Sequence, residues 1–293
     1  LSTGNRAWVT LLTKPSYVAG VRTLRASLEK SGTTYPLVVL VTEGVDADSR
    51  RLLTAEGCRL IDAEPIGPPQ DSPNSYANAR FAEVWTKLAA WHLVEFERVV
   101  FLDADMLVLQ NMDELFTLEL APGTIAACHA CRCNPNRIAS YPASWTPEIC
   151  EYTHAPGADR GLREEGVDNY LNGGLLVLSP DEAVFADMVA TLATIDDLSR
   201  FPFAEQDFLN EYYRGCWQPL PYVYNALKTL KFQHPLTWDL AAVKNIHYII
   251  DKPWDQAPDP SDRYYELNQL WWDVAADITP VSVGGRSTDA VRY

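Results

Sequence analysis

Asp103 and Asp105 stand one residue apart in the run Arg98 to Leu109, "RVVFLDADMLVL", where nearly every other side chain is apolar. Side chains two apart on an extended segment share a face, so the two carboxylates are expected to point the same way. Two bare carboxylates side by side in apolar surroundings repel each other and lose hydration, and one of them would take up a proton. A cation between them removes the difficulty. The chemistry a cation brings to such a pair is the holding and neutralising of a further anionic group.

The elements that must position these acids alternate between strand and helix. "AWVTLL" (Ala7 to Leu12) reads as a strand, and Tyr17 to Gly32 has helical spacing with Gly32 as its stop. "PLVVLV" (Pro36 to Val41) is a second buried strand, Asp46 to Gly57 a helix, and "CRLID" (Cys58 to Asp62) a third strand. A Pro-rich loop, Glu64 to Asn74, leads to a helix over Arg80 to Glu95 and then to the strand that ends on the acidic pair. This alternation predicts an α/β fold, a Rossmann-like domain with a mostly parallel central sheet and ligands at the carboxyl ends of its strands. Residues 130–168 break the pattern and read as a long insertion over the sheet edge that could serve as a lid. "GGLLVLS" (Gly173 to Ser179) resumes as a strand, followed by helices over Asp181 to Ala193 and Phe203 to Gly215. A last strand, Val243 to Ile250, precedes "DKPWD".

With 293 residues and 47% hydrophobic content the chain can build one large α/β domain, with a C-terminal elaboration. A net charge of −15 argues against nucleic acid or an anionic membrane as the main partner. No apolar run is long enough to cross a bilayer and no secretory signal is legible, so a cytoplasmic protein with no membrane partner is expected. A homodimer stays open as its assembly. Cys128, Cys131 and Cys133 cluster, with Cys150, His129 and His154 nearby. A structural zinc, a single disulfide such as Cys133 to Cys150, and free thiols all remain open for them.

Three explanations compete for the acidic pair. It could be a capped turn at a strand end. It could belong to a dehalogenase-like phosphotransferase, but Met106 follows where that group wants a hydroxyl, and at least three strands come first. Or it is the D-x-D of a nucleotide-sugar glycosyltransferase, whose cation bridges a diphosphate. Further stretches favour the last: "WVTLLTKPSYVAG", "FLDADMLVLQNMDELF", "LNGGLLVLSP", "FAEQDFLNEYY", "YVYN", "HYIIDKPW" and a late "LWW". In that order they resemble glycosyltransferase family 8, the group that contains glycogenin and galactinol synthase. "FAEQDFLN" is closer to the galactinol synthases.

The resemblance implies a GT-A type fold over residues 1–293, with a nucleotide-binding half at 1–110 and a donor-sugar and acceptor half at 111–293. It implies Mn²⁺ held by Asp103, Asp105 and His247, a ligand set suited to that ion. Leu11, Thr13 and Tyr17 match positions that hold uracil and ribose, and Ala104 lies between the two acids. Lys87, with Arg80 as a weaker candidate, matches a lysine near the diphosphate and donor sugar. Asn172, Gly173 and Gly174 would face sugar hydroxyls, with Glu205 and Asp207 holding others. Gln206 would lie near the anomeric carbon, and Lys252 would stabilise the departing UDP. The bland alternatives are a core histidine for His247, helix-face residues for Tyr17 and Lys87, a surface lysine for Lys252 and a glycine turn for Asn172 to Gly174.

The family retains the anomeric configuration. A covalent route needs a carboxylate nucleophile, and Gln206 is an amide, so a front-face exchange is favoured. Glycogenin glucosylates its own tyrosine; the corresponding position here is Phe232, which has no hydroxyl, and Tyr212, Tyr213 or a C-terminal tyrosine such as Tyr293 could serve instead, though nothing singles one out. The expected reaction is transfer of a hexose from a UDP-hexose donor to a small polyol or glycan acceptor, with myo-inositol the nearest analogy. A self-glycosylating primer and a non-catalytic glycan-binding or scaffold protein are the alternatives.

Overall fold

The computed structural model describes residues 5–69, 76, 83–154 and 169–279. Its frame is a seven-stranded sheet. β1 (Arg6–Leu12), β2 (Leu37–Val41) and β3 (Arg59–Asp62) are parallel, as are β1 and β4 (Arg98–Leu102). Between them run α1 (Val18–Lys30), α2 (Ala47–Ala55) and a 3-10 helix over Val84–His92. After the short β5 (Met106–Val108) the chain enters β6 (Ile125–His129), α3 (Glu151–His154) and β7 (Leu171–Leu178). Then follow α4 (Glu182–Ala193), α5 (Glu205–Tyr212), β8 (Trp217–Leu220), β9 (Ala226–Leu227), α6 (Leu230–Gln233), β10 (Asn245–His247) and α7 (Tyr265–Ala276).

The order across the large sheet is β3-β2-β1-β4-β7-β6-β8, with β7 antiparallel to both neighbours and β6 parallel to β8. The sheet is therefore mostly parallel, as the alternation predicts. Its strands are apolar on both faces: Val99 and Phe101 of β4 face one core and Val100 and Leu102 the other. That is the pattern of a sheet covered on both sides.

Three departures from the sequence reading bear on the site. The acidic pair stands in a turn just past β4, not on the strand, and β5 continues from it into a separate three-stranded sheet, ordered β5-β10-β9. The strand expected over Val243 to Ile250 is only β10, three residues long, antiparallel to β5 and parallel to β9. The helix expected over Arg80 to Glu95 is the 3-10 segment, in which Trp85 to Trp91 are all buried. A segment enclosed all round has its winding set by packing more than by propensity.

The irregular region from residue 130 connects β6 to β7, which are neighbours in the sheet, and its described part runs to His154. Arg80, Tyr293 and residues 155–168 lie outside the described residues. Among the described residues no helix is long and apolar enough to cross a membrane.

Candidate active site

Pairing of β5 with β10 sets Met106 opposite His247, which brings the His247 imidazole beside the acidic turn. The turn is clamped at both ends: the Asp103 N–H donates to the Gly174 carbonyl at 2.8 Å, and the Asp105 carbonyl accepts from the Tyr248 N–H at 2.9 Å. Oxygens of Asp103 and Asp105 and a nitrogen of His247 consequently lie within 4.8 Å of one another. His247 Nε2 is 3.2 Å from Asp105 and 3.8 Å from Asp103.

A chain of amides fixes how the imidazole is presented. The Gly174 N–H donates to Asn172 Oδ1 at 3.0 Å, so that atom is an oxygen, and it also accepts from Asn225 Nδ2 at 2.8 Å. Asn225 therefore offers Oδ1 to His247 Nδ1, at 2.9 Å. An amide oxygen only accepts, so Nδ1 carries a proton, and Nε2 is the ring nitrogen turned toward the acids. Gln206 joins the same chain, its Oε1 accepting from the Gly173 N–H and from Asn172 Nδ2, each at 3.1 Å. Gly174 is required here: a Cβ on it would meet His247 Cε1 at 2.4 Å and Nδ1 at 2.8 Å.

Two buried lysines balance the acids. Lys252 donates to Asp105 and, at 3.0 Å, to the Tyr248 carbonyl. Burial alone would raise the Asp105 carboxyl, but Lys252 and His247 outweigh it and hold that group well below the usual carboxylate range. Lys87, only 3% exposed, donates to the Gly173 carbonyl at 3.0 Å and pairs with Glu205 at 2.8 Å and Asp103 at 3.0 Å. Burial acts to lower its ammonium, but those two acids keep it above its ordinary value. Glu205 is pushed up by burial, with Lys87 pulling against it.

These residues surround one cleft. Leu11, Thr13, Tyr17 and Ala104 line it on the side of β1, and Asn172, Gly173, Glu205 and Gln206 on the side of β7 and α5. Tyr17 meets Trp254 edge-on, with centroids 5.5 Å apart. The wall opposite comes from the region after β6, with Ile138, Tyr141 and Trp145, and Trp145 stacks on Phe203 at 4.3 Å. Ala204 enters α5 at a φ of 49°, a left-handed conformation in a buried alanine that sets the angle at which Glu205 and Gln206 are presented.

Asp207 is not among the residues lining this cleft. It accepts from the Tyr170 hydroxyl at 2.5 Å and the Phe203 N–H at 2.6 Å, and Tyr170 in turn accepts from Gln206 Nε2 at 3.3 Å. Its contact with Gln206 is thus indirect. Asn225 was missed as a site residue, although it closes the quoted "YVYN" stretch.

The arrangement offers two carboxylates and an imidazole nitrogen for a divalent cation, two ammonium groups for anions, and amides for hydroxyls. The family model for glycosyl transferase family 8 matches residues 8–257. The chain is 32% identical to galactinol synthase 1 of Arabidopsis thaliana, across 98% of this chain and 85% of that protein. It is also 32% identical to galactinol synthase 2 of Solanum lycopersicum, across 94% and 81%. The solved galactosyltransferase LgtC, in complex with donor and acceptor sugar analogues, superposes with a TM-score of 0.61 at 17% identity, covering 94% of this chain and 98% of that one. The bifunctional glycosyltransferase WbbM does so with a TM-score of 0.64 at 18% identity, covering 94% and 50%. The fold is that of a GT-A glycosyltransferase. The chain belongs to glycosyl transferase family 8 and is an enzyme of sugar transfer.

Proposed function

We propose that the protein is a retaining, Mn²⁺-dependent hexosyltransferase that moves a hexose from a UDP-sugar to a small polyol such as myo-inositol. The observation that carries this is the convergence of Asp103, Asp105, His247 and Lys252 at a cleft that also holds Asn172 and Gln206. The galactinol synthases among the relatives support the choice of acceptor.

Asp103, Asp105 and His247 would hold the Mn²⁺; oxygen donors with an imidazole fixed to offer Nε2 fit that ion. When bound, the ion supplies positive charge that offsets the donor's diphosphate. Leu11, Thr13 and Tyr17 take the uridine, with the Tyr17 ring against the base. Lys252 donates to a diphosphate oxygen as charge develops on the leaving group. Lys87 keeps Asp103 and Glu205 in place and, with Asn172 and Glu205, faces the donor sugar. Asp207 holds Gln206 through Tyr170 and serves as a positioning residue.

The side chain nearest the anomeric carbon is the Gln206 amide, a poor nucleophile. The acceptor hydroxyl therefore attacks on the face the leaving group departs from; the glycosidic bond to phosphate breaks, and the hydroxyl proton passes to the departing phosphate oxygen. Configuration is retained without a covalent sugar on the protein. Self-glycosylation is the weaker reading: Phe232 cannot accept sugar, and the Tyr212 hydroxyl is engaged with Asp187 at 2.6 Å.

The test is UDP release from a panel of UDP-sugars, with Mn²⁺ or chelator, each with and without myo-inositol. Metal-dependent turnover of one donor that inositol stimulates supports the proposal. Hexose increments on the intact protein would favour the primer, and no binding or turnover of any donor with Mn²⁺ would favour a scaffold.

A further inference from the structure

A second cluster of metal-ligating side chains lies outside the machinery above. Cys131 and Cys133 follow β6, Cys150 immediately precedes α3, and His234 follows α6; the histidine is 84 residues beyond the last cysteine. All four are buried, and one ligand atom from each lies within 4.8 Å of the others. The six cysteines are free thiols in the structure, and the histidines next to them in sequence do not take part. His129 pairs with Asn169 at 3.1 Å, and His154 with the Glu148 carbonyl at 2.6 Å.

The separations are informative. His234 Nε2 is 3.4 Å from Cys131 Sγ, 3.3 Å from Cys133 Sγ and 3.7 Å from Cys150 Sγ, and the Cys131 and Cys150 sulfurs are 4.0 Å apart. A tetrahedral zinc with its usual bond lengths sets a sulfur and a nitrogen ligand about 3.6 Å apart and two sulfurs about 3.8 Å apart. Hydrogen bonding alone does not explain the convergence. A single ring nitrogen carries one proton or one lone pair, so it satisfies one thiol, and the remaining contacts are long ones, 4.0 Å between Cys150 and Cys131 and 3.7 Å from Cys133 to the Thr153 hydroxyl. A disulfide would join two of the sulfurs at about 2.05 Å and leave the third beside the imidazole with no role.

We infer that Cys131, Cys133, Cys150 and His234 form a structural zinc site that fastens the irregular segment after β6 to the segment after β9. Four protein ligands in a buried position leave no open coordination site, so the role is structural. Zinc here would do for residues 130–154 what regular hydrogen bonding does elsewhere, since that stretch contains only a short 3-10 turn and the four-residue α3. Cys131 and Trp145 both line the cleft, so the ion would set the wall left for the acceptor once the proposed uridine and donor-sugar residues are placed. The inference does not depend on which donor or acceptor is used.

Elemental analysis of the full chain, purified without a histidine tag and dialysed against a mild chelator, tests it. About one zinc per chain is expected to remain, and cobalt substitution should give the thiolate charge-transfer and visible bands of a tetrahedral sulfur site. Cys150→Ser should lower retained zinc about tenfold or more, whereas Asp103→Asn should leave it unchanged. Alkylation of the wild-type protein serves if the cysteine variant does not fold: Cys131, Cys133 and Cys150 should resist modification until zinc is stripped, while the exposed Cys216 reacts at once. Wild-type protein that holds no zinc and takes up none, with these three thiols freely alkylated or two of them joined as a disulfide, would overturn the inference. So would zinc lost in Asp103→Asn, which would place it in the cleft.

Discussion

The Nδ1 atom of His247 lies 2.9 Å from Oδ1 of Asn225, and this one contact turns the other ring nitrogen toward Asp103 and Asp105. Asn225 is fully buried and itself oriented by Asn172. It orients His247 without reaching the substrate. Asn225→Leu is expected to raise the Mn²⁺ concentration for half-maximal UDP release about 10–100-fold, as removal of an outer-shell partner does elsewhere. Asn225→Asp, which keeps an acceptor for Nδ1, should stay closer to wild type. An unchanged metal titration in Asn225→Leu would show that the contact does not matter.

The two glycines of "NGG" should behave differently. Alanine at 174 drives a methyl against the His247 ring, which is 4% exposed and has nowhere to go. Gly174→Ala should cost about 1–3 kcal/mol of stability and most of the metal dependence. At Gly173 the nearest atom to an added Cβ is Glu205 Oε1, at 3.5 Å, an ordinary contact. Gly173→Ala should melt like wild type and weaken the donor step alone. Equal melting temperatures for both variants would refute the steric argument.

Lys87 neutralises two acids in a buried setting, so removing it strands both. Lys87→Met should lower the unfolding free energy by about 3 kcal/mol or more, the range for breaking a buried pair. Adding Glu205→Gln removes one stranded charge, and the double variant should recover part of that loss in urea titrations. A double variant less stable than the single would contradict this.

Trp145 stacks on Phe203 at the cleft wall, which the proposed placement of the donor leaves for the acceptor. Trp145→Ala is expected to raise the acceptor KM about tenfold, in keeping with the worth of an aromatic contact. UDP release without acceptor should be unaffected. A change in donor KM with no change in acceptor KM would move Trp145 to the other end of the cleft.

The long apolar runs made most of the large sheet legible in the sequence, since β1, β2 and β4 are each continuous stretches buried on both faces. Of the candidate metal trio, the two acids were legible from their spacing, but His247 only through the family resemblance: nothing about it in isolation separates it from a core histidine. The small β5-β10-β9 sheet was not legible because strands of two or three residues carry no readable period. Asn225 and His234 were missed for a related reason. Each acts on partners brought close by the fold, and neither the amide chain to Gln206 nor the histidine among the cysteines has a local signature.

Identification of the product tests the central claim most directly. The protein is incubated with UDP-galactose or UDP-glucose, Mn²⁺ and myo-inositol, and the product is analysed by mass spectrometry and by the coupling of its anomeric proton in NMR. The account predicts a hexosyl-inositol with the α configuration of the donor, formed with Mn²⁺ and not with chelator. A β-linked product, or sugar found only on the protein itself, would contradict it.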